Sequence, residues 1–527
     1  MALTAEYVCK RYKKLATADQ AWWEHHLKDI YDYAMPNRRR AGVEVNPGAK
    51  RTTKIVDATA VVATQRGAGK LKRALTPDFE DWFRLVPGPI VQDVNQRERM
   101  KRDLQQTSAM ALAVFASGGF SLAADEMYQD LMAGTGAMIV LRGDQLEPVR
   151  FLAISSEAVV LEEDAFGRLC GWYYPQKSVA SRIEKIWPNA DIHKDLRKII
   201  KETPDKEIEL ILHCSRQGDG FRWMVIWKDG EHEMIGEDLR TSPFITPRYY
   251  KVPGETRGRG PLTLALAHIK TLNKAVEMQL QAGAFALLGV WMVNDDQLFN
   301  PRNNRLKPGG MLKVTKTGGT FGASMERLNI PENFDLSGII IDELRMQIKE
   351  MLFDDPLPAE TGAVRSPTEI TARLQRLSKD INTAFGRLHR EFFIPLVERV
   401  LDILQQWSLI PEAIKINNLV TKIQILSPLA DTEKLEEIEK TVRFYELMVA
   451  TVGVEEARVF VETDAWGVWL QERMGVDSRV ISLPERREEK RQQMQALRAA
   501  AAEAGINPDE VDRAANEAGL NEVPLAA

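Results

Sequence analysis

Hydrophobic residues recur every three or four positions over Ala5 to Tyr33, with Leu15, Trp22, Trp23, Leu27 and Ile30 in helical register. This spacing predicts an opening amphipathic helix, stopped by Met35-Pro36-Asn37. Further helices are expected over Thr53 to Leu75, Val94 to Ser117 and Ser121 to Ala133. The apolar runs then shorten. Ala137 to Leu141, Val159 to Leu161, Leu169 to Tyr174, Ile208 to Cys214 and Phe221 to Trp227 read as strands separated by Gly, Asp and Pro.

The centre is more regular. Gly260-Pro261 places Pro at a first helical position, and Leu262, Leu266, Ile269, Leu272, Val276 and Leu280 follow on one broad face, with Lys270, Lys274 and Glu277 opposite. Gly289 to Asn333 holds short strands at Val290 to Asn294 and Met311 to Val314. A second helix, Ser337 to Phe353, puts Ile341, Leu344, Ile348 and Met351 on one stripe. Pro356, Pro358 and Gly362 break the chain after it. Ser366-Pro367-Thr368-Glu369 is then a capping box. It opens a helix to Trp407 that would span roughly 60 Å, with a kink expected near Pro395. Asp431 to Val452, Glu455 to Met474 and Pro484 to Gly505 read as tail helices. The fold class is α+β, predominantly α-helical.

Composition narrows the reading. The 527 residues are 44% hydrophobic and 28% charged, which excludes disordered, collagen-like and disulfide-scaffold chains. A net charge of −5 argues against a surface basic all over, as a tight nucleic-acid binder would have. Cys9, Cys170 and Cys214 lie far apart, so reduced thiols are expected. No signal peptide is visible, and no apolar run reaches the roughly 18 residues of a membrane helix.

Charge is unevenly placed. Met1 to Leu75 carries a net +8, concentrated in Arg38, Arg39, Arg40, Lys50, Arg51 and Lys54. Such a run is either a solvated loop or a surface for phosphate or an acidic partner. Asp335 to Glu360 carries −5, from acids that include Asp342, Glu343, Asp354 and Asp355 against Arg345 and Lys349. Between them, Asp295 to Arg327 is +3, with Arg302, Arg305, Lys307, Lys313 and Lys316.

Catalytic motifs fail one by one. Arg66-Gly67-Ala68-Gly69-Lys70 lacks the first Gly and the final Ser/Thr of a phosphate loop. Gly134-Thr135-Gly136 and Gly258-Arg259-Gly260 lack the third glycine of a dinucleotide loop, which favours turns or close packing. His25 and His26 point to different faces, and no His/Cys group has zinc spacing. The central acids could in principle hold Mg²⁺ for a metal-dependent DNA-processing enzyme, but a solvated or DNA-facing acidic surface is the better reading. No catalytic residue, metal or cofactor is expected.

Several stretches together resemble the portal, or head-to-tail connecting, proteins of short-tailed double-stranded DNA phages. They are WWEHHLKDIYDYAMPNR (Trp22 to Arg38), ATQRGAGKLKRALTPDFEDWFRL (Ala63 to Leu85), DLMAGTGAMIVL (Asp130 to Leu141), RYYKVPGETRGRGPLTLALAHIKTLN (Arg248 to Asn273) and the Thr-Glu-Ile-x-x-Arg helix within Arg365 to Arg390. Arg257 departs from the aromatic residue common there. The resemblance implies a subunit with wing, stem, clip and crown, about twelve copies of which form a ring around a DNA channel at one capsid vertex. Mapped onto this chain, 1–260 is wing, 261–288 a stem helix, 289–334 clip, 335–353 the second stem helix, 354–366 a channel loop, 367–480 the long wing helix and its continuation, and 481–527 crown.

The implied partners are double-stranded DNA, a terminase packaging motor, a tail adaptor, and capsid, scaffolding and internal core proteins, in the virion and, during assembly, the host cytoplasm. No small-molecule substrate and no membrane insertion are implied. A tail adaptor or scaffold protein is the alternative structural reading. DNA that must slide cannot be gripped, since every neutralised phosphate releases counterions and deepens a local well. Channel candidates are therefore the acids Asp342, Glu343, Asp354 and Asp355 of the −5 segment, with Lys270 and Lys274 as weak phosphate contacts or a surface salt-bridge face, and Glu277, Arg345, Lys349 and Arg365 complete the candidate set. The clip cations Arg302, Arg305, Lys307, Lys313 and Lys316 would dock partners, as would the basic N-terminal residues.

Overall fold

The computed structural model describes residues 3–38, 50–78, 80–91, 94–288, 291–293, 325–327, 334–354, 384–410, 421–426 and 428–453, with scattered positions up to 496. The expected capping box and the channel loop beyond Asp354 fall outside the described residues, as do most of the clip, of the helix Glu455 to Met474 and of the crown. The chain divides into two compact units: Met1–Arg73, Ala111–Val364 and Asp380–Ala413 form one, and Ala74–Met110, Arg365–Lys379 and Ile414–Ala527 the other.

Helices α1 (Ala5–Trp22), α2 (Lys28–Ala34), α3 (Thr59–Leu75), α4 (Val94–Ser117) and α5 (Phe120–Ala133) account for the first part of the chain, with strand β1 (Phe83–Pro87) between α3 and α4. A π turn, Trp23–Leu27, joins α1 to α2 within the single helix that the sequence predicts. Strands β2 (Met138–Arg142), β3 (Val149–Ala153), β4 (Val160–Glu163) and β5 (Leu169–Val179) precede the short helices α6 (Ile183–Ile186) and α7 (Lys194–Glu202). Then come β6 (Glu207–Gln217), β7 (Gly220–Trp227), β8 (His232–Leu239), β9 (Phe244–Ile245), β10 (Tyr250–Lys251) and β11 (Gly258–Arg259). Helix α8 (Pro261–Leu288), strands β12 (Trp291–Val293) and β13 (Met325–Arg327) and helix α9 (Phe334–Met351) follow, with the helix Ile394–Gln406, strand β14 (Thr421–Ile425) and the helix Pro428–Val452 beyond them.

In the first unit β4 to β8 form an antiparallel five-stranded meander, and β2 pairs with β3 and β9 in a smaller sheet. Alternate side chains sort to the two faces of the larger sheet. Trp172, Leu212, Cys214, Trp223 and Val225 pack towards Ile139, Ile154 and Phe244. Tyr173, Ile211, Met224 and Ile226 pack under Ala5, Val8 and Cys9 of α1. Both faces are covered at the centre of the sheet, so Leu210–Leu212 of β6 and Met224–Ile226 of β7 are apolar on consecutive residues rather than on alternate ones. The three cysteines remain unpaired.

Helix α3 begins six residues after the expected Thr53. Asn273 Oδ1 captures the Val56 and Asp57 amides (2.8 and 3.1 Å) and Asp57 accepts from the Thr59 amide, so the helix starts there. The proline kink expected near Pro395 takes the form of a π turn over His389–Phe393, directly before Pro395, whose ring removes a donor and crowds the Glu391 carbonyl.

In the second unit β1 pairs antiparallel with β14, Leu85 opposite Ile423. Ser108 Oγ accepts from the Leu85 amide at 2.8 Å while donating to the Leu104 carbonyl, which fastens this ribbon to α4. Among the described residues no single helix is long and apolar enough to cross a membrane.

His213 is buried in β6, with Nδ1 donating to the Trp172 carbonyl at 3.0 Å and its ring 4.4 Å from that of Tyr173. Burial pushes its pKa down from 6.5 to about 4. The folded protein thus excludes a proton that the unfolded chain takes up below pH 6.5. Stability attributable to this residue falls by about 3 kcal/mol as pH drops from 6.5 to 4. Replacing His213 with Gln is expected to flatten the melting-temperature-versus-pH curve across that window relative to the parent chain; an unchanged slope would remove His213 from the acid response.

Candidate functional site

The two glycine pairs that looked like fragments of a nucleotide loop meet each other. Gly134 ends α5 with φ 131°, a conformation that favours glycine. A Cβ on Gly134 would stand 2.2 Å from the Gly258 carbonyl, one on Gly258 2.3 Å from the Gly134 carbonyl, and one on Gly260 2.2 Å from the Met132 carbonyl. The Gly258 amide donates to Thr135 Oγ1 and the Tyr249 amide to the Gly134 carbonyl. Backbone therefore lies on backbone immediately before Pro261, which sets where α8 begins.

Helix α9 is held at its other end. The Asp354 amide donates to the Lys349 carbonyl and the Phe353 amide to the Glu350 carbonyl, the pairing of a Schellman cap. Phe353, at φ 62°, occupies the left-handed position where glycine is usual. The segment Arg66-Gly67-Ala68-Gly69-Lys70 of α3 clamps that corner. Lys70 Nζ donates to the Phe353 carbonyl at 2.7 Å, while Arg66 and Lys70 lie 3.6 and 3.8 Å from the Asp354 carboxylate. A Cβ at Gly67 would stand 2.0 Å from the Leu352 carbonyl. The would-be phosphate loop is a helix surface that grips a helix C-terminus.

Further ties join α8 and α9 to the N-terminal region. Asp57 accepts two bonds from Arg345 (3.0 and 2.8 Å). Burial alone would raise the Asp57 carboxyl, but the Thr59 and Arg345 hydrogen bonds outweigh it and hold it below the ordinary carboxylate value. Lys270 pairs with Asp29 of α2 and sits 6.0 Å from the Tyr33 ring.

The expected site residues divide accordingly. Asp354, expected on a channel wall, is instead 6% exposed and compensated inside the subunit by Arg66 and Lys70. Lys270 and Arg345 are also engaged within the subunit, whereas Asp342, Glu343 and Lys274 are exposed. Asp342 pairs with Arg345 at 3.1 Å and Lys274 with Glu277 at 2.9 Å, and Lys349 is half-buried on α9. Arg38, expected on a basic surface, turns inward to Asp130 (2.8 Å) and Glu126 (2.7 Å). Asp130 is fully buried. Burial raises its carboxyl above the ordinary value, against Arg38, the Ser156 amide and the Tyr31 hydroxyl, which all favour the charged form. Lys54 pairs with Asp32, and Lys50 is exposed. Asp355, Arg365, Arg39, Arg40 and the clip cations Arg302, Arg305, Lys307, Lys313 and Lys316 lie outside the described residues.

Three structural groups escaped the sequence reading. Arg257, where an aromatic was expected, is buried and forks onto Asp19 (2.6 and 2.7 Å) while donating to the Ser156 carbonyl, its guanidinium 5.7 Å from the Trp22 ring. Arg248, 1% exposed, bonds Glu391 twice (3.0 and 2.7 Å) and reaches the Thr256 and Gly167 carbonyls. Asn273 is buried beside the α8 stripe, its amide nitrogen donating to the Ile269 carbonyl at 2.9 Å. Among the described residues no three His, Cys, Asp or Glu side chains gather to hold a metal ion.

The chain matches the family described as bacteriophage head to tail connecting protein over residues 5–481. It belongs to that family, and its role is the structural one of joining phage head to tail. It is 20% identical to the portal protein of Escherichia phage T7 over 390 residues, 70% of each chain. It is 24% identical to the portal protein of Salmonella phage epsilon15 over 453 residues, 80% of this chain and 79% of that one. With the portal protein of Enterobacteria phage T3 the identity is 19% over 487 residues, 86% of each.

Gly258→Ala, which forces a Cβ against backbone that cannot move aside, is expected to destabilise the first unit by about 3 kcal/mol. Gly283→Ala on α8, with nothing within 4 Å of the added carbon, is expected to stabilise by about 0.5–1 kcal/mol. Thermal unfolding of the two variants checks this; equal melting temperatures would contradict the packing argument.

Proposed function

We propose that the chain is a portal subunit. About twelve copies close into a ring at one capsid vertex, double-stranded DNA crosses the central channel during packaging and ejection, and the ring links head to tail. Membership of the head-to-tail connecting family and the three portal relatives support this reading. The observation that carries it is the divided surface of α8 and α9. Their roots are locked into the subunit by compensated charges and close backbone contacts, yet their remaining faces leave Leu264, Met278, Leu280, Ile339, Ile340 and Met346 exposed.

Large apolar side chains in that number on paired helices call for neighbours. A head-to-tail contact, with one face of a copy on a different face of the next, closes only if the rotation per copy fits a ring. Asp342, Glu343 and Glu350, all exposed on α9, would then contribute a wall that repels phosphate and lets the duplex slide. The packaging motor, tail adaptor, capsid, scaffolding and internal core proteins are the partners such a ring serves, in the virion and, during assembly, the host cytoplasm. Hydrolysis of nucleotide belongs to the motor.

Native mass and negative-stain images of the purified chain are expected to show rings of about twelve with a central hole; a stable monomer would overturn the proposal. Ile339→Asp with Met346→Asp is expected to give folded monomers, with unchanged circular dichroism and no rings. Asp342→Lys with Glu343→Lys is expected to leave rings intact while lowering packaged DNA per particle several-fold, most strongly at low salt. Full packaging at low salt would take these two acids out of the mechanism.

A further inference from the structure

Helix α7 has an apolar side and a cationic side. Leu196 is fully buried, and Ile199 and Ile200 pack beside it on a cluster that includes Ile183, Ile208, Leu210 and Met234. Lys194, Arg197, Lys198 and Lys201 stand at i, i+3, i+4 and i+7, which places them within an arc of about 100° on the opposite side. All four are exposed. The two acids of the helix, Asp195 and Glu202, fall to one flank of that arc, and Asp195 is engaged by His193, whose Nδ1 accepts from the Asp195 amide and lies 3.4 Å from its carboxylate.

Other exposed cations meet carboxylates of the same subunit: Lys10 pairs with Glu6, Lys13 with Glu231 at 3.6 Å, Lys177 with Glu207 at 3.6 Å and Lys274 with Glu277 at 2.9 Å. Among the described residues the four cations of α7 have no ion-pair partner. Each is instead three and four residues from another cation, and Lys194 stands at the positive end of the helix dipole. Both arrangements weaken a helix by itself. A polyanion outside the subunit would remove that cost. Its kind follows from what the face lacks. An acidic protein partner calls for apolar anchors at the centre of its interface, and a single nucleic-acid strand calls for aromatic side chains on which bases stack. The stripe holds neither. The backbone of a duplex needs cations alone, and with one phosphate per about 1.7 Å of axis it offers several acceptors along the roughly 10 Å from Lys194 to Lys201.

We infer that the α7 stripe is a sequence-independent contact for the phosphate backbone of double-stranded DNA held on the subunit, unlike the acidic α9 wall, which must let a duplex pass. The inference goes beyond the ring reading and does not rest on it. In the full-length chain, Lys194→Gln, Arg197→Gln, Lys198→Gln and Lys201→Gln are combined, and binding of a fluorescent duplex of about 20 base pairs is followed by anisotropy across a salt series. Four neutralised phosphates predict that the slope of log affinity against log salt becomes shallower by about 3.6 in this variant, with affinity at low salt lower by about tenfold or more. Circular dichroism and melting temperature are expected to hold. Lys10→Gln with Lys13→Gln, which removes two cations already paired, is expected to leave slope and affinity as in the parent chain. The parent slope in the α7 variant, an equal loss in the Lys10 and Lys13 control, or tighter binding of polyglutamate than of duplex at equal charge would each overturn the inference, the last in favour of an acidic protein. Native mass reads the ring separately: rings with an unchanged slope remove the stripe alone, and a monomer whose slope falls in the variant removes the ring alone.

Discussion

Everything in the first unit depends on backbone meeting backbone where α5, the Gly258–Gly260 turn and α8 come together. Only residues without a Cβ fit there, because the groups in the way are carbonyls of neighbouring segments rather than pliable side chains. The same device recurs where Gly67 of α3 admits the Leu352 carbonyl. One contact fixes where α8 begins and the other where α9 ends. Between them Asp57, Asn273 and Arg345 tie both helices to the N-terminal region. A buried charge without a partner would cost several kcal/mol, and here Asp57, Asp354, Arg248 and Arg257 each have at least one.

That arrangement divides the expected charges into two groups. Arg38, Lys270, Arg345 and Asp354 are engaged within the subunit. Asp342, Glu343, Glu350 and Lys274 keep their exposure, on helices whose free faces also carry Leu264, Ile339 and Met346. In the proposed ring these exposed apolar side chains would face neighbouring copies, and the carboxylates beside them would leave passing phosphates without a deep well. A rigid root is what permits both, since a helix pair free to swing could hold neither a ring nor a smooth wall.

Much of this was legible in the sequence. The Gly-Pro start of α8, the stripe on α9 and the strands β5 to β7 all follow from local periodicity. The β1–β14 ribbon did not, because its strands come from distant parts of the chain and neither carries a turn signal for the other. The end of α9 was expected at Phe353 from the prolines beyond it; the last helical residue is Met351, and Phe353 itself makes the left-handed turn that no glycine announces. Charge was the least readable feature. Arg38 and Asp354 look like surface residues when counted along the chain, and only the fold shows the opposite charges that meet them. Arg257 likewise stood out as a departure from an aromatic, and the Asp19 carboxylate that explains it lies far away in sequence.

The central claim is that a rigidly rooted helix pair turns its uncovered faces to other copies of the chain and its remaining acids to a channel. An electron-microscopy reconstruction of the assembled protein, detailed enough to place side chains, tests this most directly. The account predicts Ile339, Met346 and Leu264 buried between copies, with Asp342 and Glu343 facing a hole wide enough for a double helix. A reconstruction with those apolar residues still in solvent, or with α8 and α9 away from the channel, would contradict it.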